Sequence, residues 1–326
     1  MPIAVIAGGS GFIGGALSEA LIADGYQLRF IGRNGPDASW GDQSAIREVV
    51  NGADVLVNLA GKSINCRYND KNRNELYSSR IDTTRALAGA LAEVKKPPKL
   101  WINASAASIY QYTLDTPQTE ADGKIGGGFS VDLVRDWEKE LFTSNLPNVR
   151  KVALRLAIVI GDGPATRLLF GLARLGVGGT QFDGWWFGHN RYRGIGPNAT
   201  TYEDSYKNSE GRQKFSWIHI DDVIGAIRFV IANPKISGPV NFSAPETVDN
   251  RSLMATLRRV VGAPFGLPAW RFMIEPIMWL LRTESELVLK SRLVVPEKLL
   301  KAGYKFRFSG LEPALRDVYG NRKRAR

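Results

Sequence analysis

The first half of the chain alternates short apolar runs with longer amphipathic stretches, which is the rhythm of an α/β fold. Strands are predicted at Ile3 to Ala7, Gln27 to Ile31, Ala53 to Leu59 and Leu100 to Ala104, and helices at Ile13 to Asp24, Asn72 to Val94 and Phe129 to Phe142. Pro97 and Pro98 stop the long middle helix, because neither can donate to its hydrogen-bond ladder. Lys151 to Ile160 is almost continuously apolar, and Phe215 to Ile220 is a shorter run leading into a helix opened by Asp221. Both have the character of parallel strands buried on two faces. The pattern predicts a Rossmann-like, doubly wound parallel sheet over residues 1–240, with a smaller α-rich basic region over residues 241–326 closing a crevice. An aromatic-rich stretch at about 180–213 interrupts this rhythm.

The first strand runs into Gly8, Gly9, Ser10, Gly11, Phe12, Ile13 and Gly14, just where a helix begins. In that context Gly8 permits a tight turn, Gly11 lets the backbone approach a pyrophosphate, and Gly14 lets helix and strand pack closely. Free amides at the helix N-terminus then face the anion. The plainer alternative is an ordinary turn in an unliganded α/β domain. At the end of the second strand, where an acidic residue would select NAD, the chain carries Arg33. A cation there pairs with a 2′-phosphate and favours NADP(H), the alternative being a solvated surface arginine.

With these pieces in place the chain resembles the extended short-chain dehydrogenase/reductase superfamily. Within it, the chain resembles an atypical, epimerase-like subfamily of NADP-dependent oxidoreductase-like proteins that end in a short domain of unknown function. Beyond the glycine loop, the resemblance rests on Asn58-Leu59-Ala60-Gly61, Ser79-Arg80, Ser105-Ala106, Arg135-Asp136-Trp137-Glu138, Leu154-Arg155-Leu156 and Phe215 to Asp222. In the tail, Gly238 to Asn241, Ala244-Pro245 and Ala302 to Arg307 also fit. The resemblance implies that Asn58, Leu59, Ala60 and Gly61 line the adenosine and ribose side of the cofactor, and that Ser105 faces the nicotinamide. The superfamily's Tyr-x-x-x-Lys pair is missing: counting back from Glu138 puts Ser130 and Val134 at those positions.

Tyr110, five residues past Ser105, is then the best remaining proton donor, and it needs a neighbouring cation to act near neutral pH. Arg80 falls where the resemblance implies an active-site Asn, so it is a candidate for that charge or for an acidic substrate group. Each has a plainer reading, Tyr110 as a structural aromatic and Arg80 as a helix-surface ion pair. His219 lies inside an apolar strand and is expected to satisfy local partners rather than act as an acid. Cys66 is expected to be an ordinary thiol, and Arg155 either contacts substrate or caps a carboxylate.

Composition narrows the setting. One Cys and two His among 326 residues leave no ligand set for a thiolate-rich or histidine-rich metal site, so no metal is expected. The single Cys also suits a reducing, cytoplasmic compartment, and neither a leader peptide nor a spanning helix is expected. Lys and Arg outnumber Asp and Glu by 43 to 32, and +10 of the net +11 falls in residues 251–326. Together with apolar Ala269 to Leu281, that charge suits docking on an acidic protein or peripheral association with an anionic membrane. The alternative is an apolar helix packed on the domain with solvated charges around it. No nucleic-acid motif accompanies the basic residues. The 180–213 stretch carries Trp185, Trp186, Phe187, Tyr192, Tyr202 and Tyr206 and is expected to be a lid or partner-binding loop. Two functions follow: an NADP(H)-dependent oxidoreductase or epimerase acting on an unknown carbonyl or alcohol by hydride transfer, or a catalytically silent NADP(H)-binding accessory subunit of a larger assembly.

Overall fold

The computed structural model describes the chain apart from residues 188–189, 196–197, 203–207 and 325–326. His189, Tyr206 and three charged residues of the insertion, with the last two residues of the basic tail, therefore lie outside the described residues.

Seven strands form the central sheet: β1 (Ile3–Ala7), β2 (Gln27–Gly32), β3 (Ala38–Ser39), β4 (Val55–Asn58), β5 (Leu100–Ala106), β6 (Arg150–Leu156) and β7 (Gly238–Phe242). Their spatial order is β7-β6-β5-β4-β1-β2-β3, and every pairing is parallel. The order reverses at β1, where the chain goes outward to β2 and later returns to β4 on the other side. That switch opens a crevice beyond the carboxyl ends of the strands. All four residues of β4 are buried, as a strand covered by helices on both faces requires.

Helix α1 (Phe12–Ala23) covers one face of the sheet with a helix made of Ile220–Ala232, burying Leu17, Leu21, Val223 and Ile227 against Ile6, Val57 and Ile102. The other face is covered by α2 (Gln43–Val50), α3 (Asp70–Glu93) and α4 (Phe129–Thr143), through Ile46, Leu87, Leu91 and Leu141. The sheet is thus doubly wound, as the sequence rhythm predicts.

The apolar run from Lys151 to Ile160 forms two strands rather than the one expected. β6 ends at Leu156; the Ala157 amide then bonds to Phe242 O and the Ile158 amide to Ser216 O. The chain changes partner at this point, and Ile158–Ile160 pairs in parallel with Trp217–His219 outside the main sheet. The boundary expected between residues 240 and 241 falls inside β7. Residues beyond it share a core with earlier ones: after α5 (Pro164–Arg174) and α6 (the Ile220–Ala232 helix), Leu253 and Leu257 of α7 (Asn250–Val261), with Leu311 and Leu315, pack with Ile160, Phe170 and Trp217.

Candidate functional site

The turn after β1 is shaped by its glycines. Gly8 has φ +82°, and a Cβ there would stand 2.9 Å from Ala60 N and Leu59 C. Only glycine therefore lets the β1 turn touch the turn after β4. A Cβ on Gly14 would lie 2.5 Å from Gly8 O, so the first helical turn packs directly on the loop. Gly11 is the N-cap of α1, no side chain caps the helix there, and a Cβ at Gly11 would meet only Gly8 O at 3.4 Å. The first-turn amides have no acceptor within the helix, and Ser10, Gly11 and Phe12 are exposed beside them. Gly9 is pressed on the Phe30 ring, Ile13 packs into the sheet-facing core, and the Phe12 ring lies against Gly161 and Gly163.

Arg33 stands exposed one residue past β2. No hydrogen bond or ion pair of its side chain is found among the described residues.

Asn58 is fully buried and shapes the crevice from below. Its Nδ2 donates to Asn103 Oδ1 at 2.7 Å, and its Oδ1 accepts the Ala60 amide at 3.1 Å. This fixes Leu59 and Ala60 against Gly8. Arg80, on α3, donates to the carbonyls of Leu76 (3.2 Å) and Lys62 (3.0 Å), lies over the Trp137 ring, and backs Gly61. Burial lowers its guanidinium to about 10, so it stays charged at neutral pH. Asn103 escaped the sequence reading because nothing local marks a polar residue inside an apolar strand as a partner of one 45 residues away.

Ser105 and Tyr110 are brought together, within one buried network. Ser105 Oγ donates to Glu138 Oε1 at 2.6 Å, and Arg155 grips the same carboxylate through Nε (2.8 Å) and Nη2 (2.7 Å). Arg155 Nη1 then donates to the Tyr110 hydroxyl at 2.8 Å, which donates onward to Asn241 Oδ1 at 2.8 Å. The cation beside Tyr110 is therefore Arg155, not Arg80. Burial opposes the Arg155 charge, yet Glu138 and Tyr110 outweigh it and hold the guanidinium firmly protonated. Tyr110 is fully buried, and its pKa is raised because desolvation exceeds the pull of Arg155. Arg155 caps a carboxylate, one of the two roles the sequence allows. Glu138 and Asn241 are the members of this network that sequence reasoning left without a role, although both lie in motifs that carry the family resemblance.

Ser130 and Val134 hold the positions of the missing Tyr-Lys pair. Ser130 Oγ donates to Glu286 Oε1 at 2.5 Å and receives Lys290 Nζ at 3.0 Å, while Lys290 and Glu286 form a buried ion pair at 2.5 Å. Burial works against the Glu286 charge, but Lys290 and Ser130 pull its carboxyl below the usual range. Val134 packs with Ile109 and Tyr110. The spacing of Glu286 and Lys290 suits a helical pair, but their contact with a residue more than 150 positions earlier leaves no trace in local sequence.

The 180–213 stretch divides into two parts. Tyr192 is buried, its hydroxyl meeting Glu284 Oε2 at 3.0 Å and Ser285 Oγ at 3.1 Å, and Thr200 is tied to the start of α4, donating to Asp132 and accepting the Gly128 amide. Trp185 and Phe187 instead remain exposed. His219 is buried as the N-cap of Ile220–Ala232, its Nδ1 accepting the Asp221 amide, and its ring rests on Phe308 at 4.1 Å. Burial lowers the His219 pKa against the opposing pull of Asp221 and Asp317, and burial raises the Cys66 thiol, as an ordinary cysteine requires.

The sequence profile of the NAD dependent epimerase/dehydratase family matches residues 4–126, and that of DUF1731, a domain of unknown function, matches residues 271–318. The chain is 30% identical over 325 residues to epimerase family protein YfhF of Bacillus subtilis (strain 168), covering 97% of each chain. It is 31% identical over 325 residues to epimerase family protein SDR39U1 of Bos taurus, covering 96% of this chain and 98% of that one. The crystal structure of human epimerase family protein SDR39U1 (isoform2) with NADPH superposes with a TM-score of 0.82 at 27% identity, covering 98% of this chain and 99% of that one.

Proposed function

Because the chain belongs to the NAD-dependent epimerase/dehydratase family, we propose that it binds NADP(H) in the crevice at the β1/β4 switch and acts as an oxidoreductase or epimerase on a carbonyl or alcohol. The observation that carries this is the uncapped N-terminus of α1 on a loop too tight for any Cβ at Gly8, with Arg33 exposed at the end of β2 and without a partner among the described residues. The human relative crystallised with NADPH supports the choice of nucleotide. In this reading the amides of Ser10, Phe12 and Ile13 hold the diphosphate, while the Gly11 amide closes the turn on Gly8 O; Arg33 holds the 2′-phosphate, and Leu59, Ala60 and Gly61 line the adenosine and ribose side. Asn58 acts through Ala60, as a positioning residue. When bound, the nucleotide would supply a hydride to a carbonyl as NADPH or accept one from an alcohol as NADP, and an epimerisation would use both in turn.

Ser105 and Tyr110 are both buried and their hydroxyls are turned to Glu138 and Asn241, so in this reading they hold the segment after β5 in place rather than handle protons. In this reading the proton taken up on carbonyl reduction, or released on alcohol oxidation, is exchanged with solvent.

Calorimetric titration with NADPH, NADP, NADH and NAD tests the cofactor. Loss of a charge-assisted contact worth about 1.5–3 kcal/mol predicts that Arg33→Ala weakens NADPH roughly 10- to 150-fold and leaves NADH unchanged. Equal affinity of the wild-type protein for NADPH and NADH would refute the assignment of Arg33.

A second reading is favoured by the same saturated hydroxyls and by the tie of Ser130 to Glu286 and Lys290: an accessory subunit that binds NADPH without turning it over. Incubation of 4-deuterated NADPH with a panel of carbonyl compounds, and of NADP with alcohols and sugar nucleotides, separates the two. Deuterium in a product, reduction of NADP or an inverted sugar stereocentre means an enzyme. Tight binding with no transfer across the panel favours the silent subunit.

A further inference from the structure

The charge pattern of one helix is turned inside out. In α8 (Arg271–Leu280) the two charged residues, Arg271 and Glu275, are buried and paired with each other at 3.2 Å. Glu275 also receives Ser285 Oγ and Arg191. The side that faces water is Phe272, Met273, Pro276, Ile277, Trp279 and Leu280, with Trp279 68% and Leu280 74% exposed. A surface helix of a soluble domain shows the reverse arrangement.

The apolar face continues beyond the helix. Ala269–Trp270 pairs in parallel with Gln181–Phe182, which stacks Phe182 on Trp270 at 5.6 Å, and Trp270 in turn stacks on Phe272 at 6.4 Å. Arg271 Nη1 holds Gly184 O at 2.8 Å and so anchors the segment that carries exposed Trp185 and Phe187. On the other flank, Leu267 is bonded to Gly176 and Gly179, and Leu175, Phe265 and Leu267 are exposed. An aromatic side chain carries roughly 150–250 Å². Half-exposed side chains in this number exceed the few hundred Å² of apolar patch that monomers usually show.

We infer that this face docks the protein on the interfacial layer of an anionic lipid bilayer, with α8 lying in the plane of the surface. Two observations favour lipid over a protein partner. The outward face of α8 offers no polar side-chain atom apart from the Trp279 indole, whereas a protein interface requires about one hydrogen bond per 100–200 Å². An indole beside aliphatic residues suits the headgroup boundary. The charge also fits, because exposed Arg174 and Arg282 adjoin Leu175 and Leu281 at two edges of the patch. The acidic residues of the patch segments, Asp183 and Glu275, are engaged by Ser209 and by Arg271. Among the described residues no helix is long and apolar enough to cross a membrane, so the contact is peripheral.

The test is sedimentation of the full chain with vesicles of phosphatidylcholine alone or with 30% phosphatidylglycerol. Quenching of tryptophan fluorescence by lipids brominated on the acyl chain runs in parallel. The expected result is at least tenfold tighter binding to the anionic vesicles, weakened by 0.5 M salt, with quenching. Trp279→Ser/Leu280→Ser should lower binding at least tenfold while its thermal unfolding stays close to that of the wild type. Absence of binding and quenching in the wild type would overturn the inference without reference to any variant. So would sedimentation velocity showing a dimer that this variant dissociates, since the face would then belong to a second copy.

Discussion

Replacing Arg155 by Met tests the network behind the crevice most directly. In the folded protein the Glu138 carboxylate receives three donors, from Ser105, Arg155 Nε and Arg155 Nη2, all within 2.8 Å. Both side chains of the ion pair are less than 10% exposed. The substitution leaves the carboxylate buried with one hydroxyl donor and removes the Arg155 donor from Tyr110. Removing one partner of a buried pair costs about 3–5 kcal/mol, mostly through the uncompensated charge left behind. Total stabilities run about 5–15 kcal/mol, so the variant should still fold while its urea midpoint falls steeply at unchanged slope.

Glu138→Gln/Arg155→Met supplies the control. It removes both charges, so it should be more stable than Arg155→Met alone, with a coupling energy of about 1–3 kcal/mol in the double-mutant cycle. A loss below about 1 kcal/mol for Arg155→Met, or additivity within about 0.5 kcal/mol, would refute the claim that the pair is buried and mutually dependent. Arg155→Lys should not rescue fully, because an ammonium cannot span both carboxylate oxygens and the Tyr110 hydroxyl.

Gly8→Ala should destabilise the protein and abolish nucleotide binding, since its Cβ would press on Ala60 N and Leu59 C at 2.9 Å with φ at +82°. Gly11→Ala should fold normally and lose nucleotide affinity alone; calorimetry beside thermal melts distinguishes these outcomes, and equal melting losses would count against the loop geometry. His219 gives a pH prediction. Its folded pKa lies below the unfolded value, so the unfolded chain holds the extra proton between the two. The resulting stability is present above about 6.5 and is lost as pH falls through the folded pKa. His219→Asn keeps an N-cap acceptor for the Asp221 amide and should flatten that dependence in urea titrations between pH 5 and 7.5; an unchanged slope would sink the assignment.

Features set by local chemistry were legible in the chain. Ile3 to Ala7 reads as a buried strand because nothing polar interrupts it, and the Gly8, Gly11 and Gly14 spacing states where backbone must meet backbone. Arg33 is legible for the same reason, being a cation where the second strand stops. The face presented by a residue at a strand end was not legible. Ser105 can be placed at the end of β5 from sequence, but the partner lying under it, Glu138, decides whether its hydroxyl is available. The break at Ala157 was equally hidden, because both halves of the run are apolar and only a change of partner separates them. In the insertion, Tyr192 and Trp185 are similar side chains with opposite fates. The difference is a buried Glu284 some 90 residues away.

Three buried ion pairs share one physical logic: Glu138–Arg155, Glu286–Lys290 and Arg271–Glu275. Such pairs add little stability over well-packed apolar residues, but each tolerates only one geometry, since a displaced partner leaves a charge stranded. Glu138–Arg155 joins α4 to β6 and, through Tyr110 and Asn241, to β7. Glu286–Lys290 ties the tail to Ser130 at the start of α4. Arg271–Glu275 gathers the charge of α8 onto its inner side, next to Ser285 and Gly184. The first two pairs hold the tail on the crevice wall, and the third turns the apolar side of α8 outward. Buried contacts thus link the tail to the strands and helices around the crevice while the apolar side of α8 is left facing water.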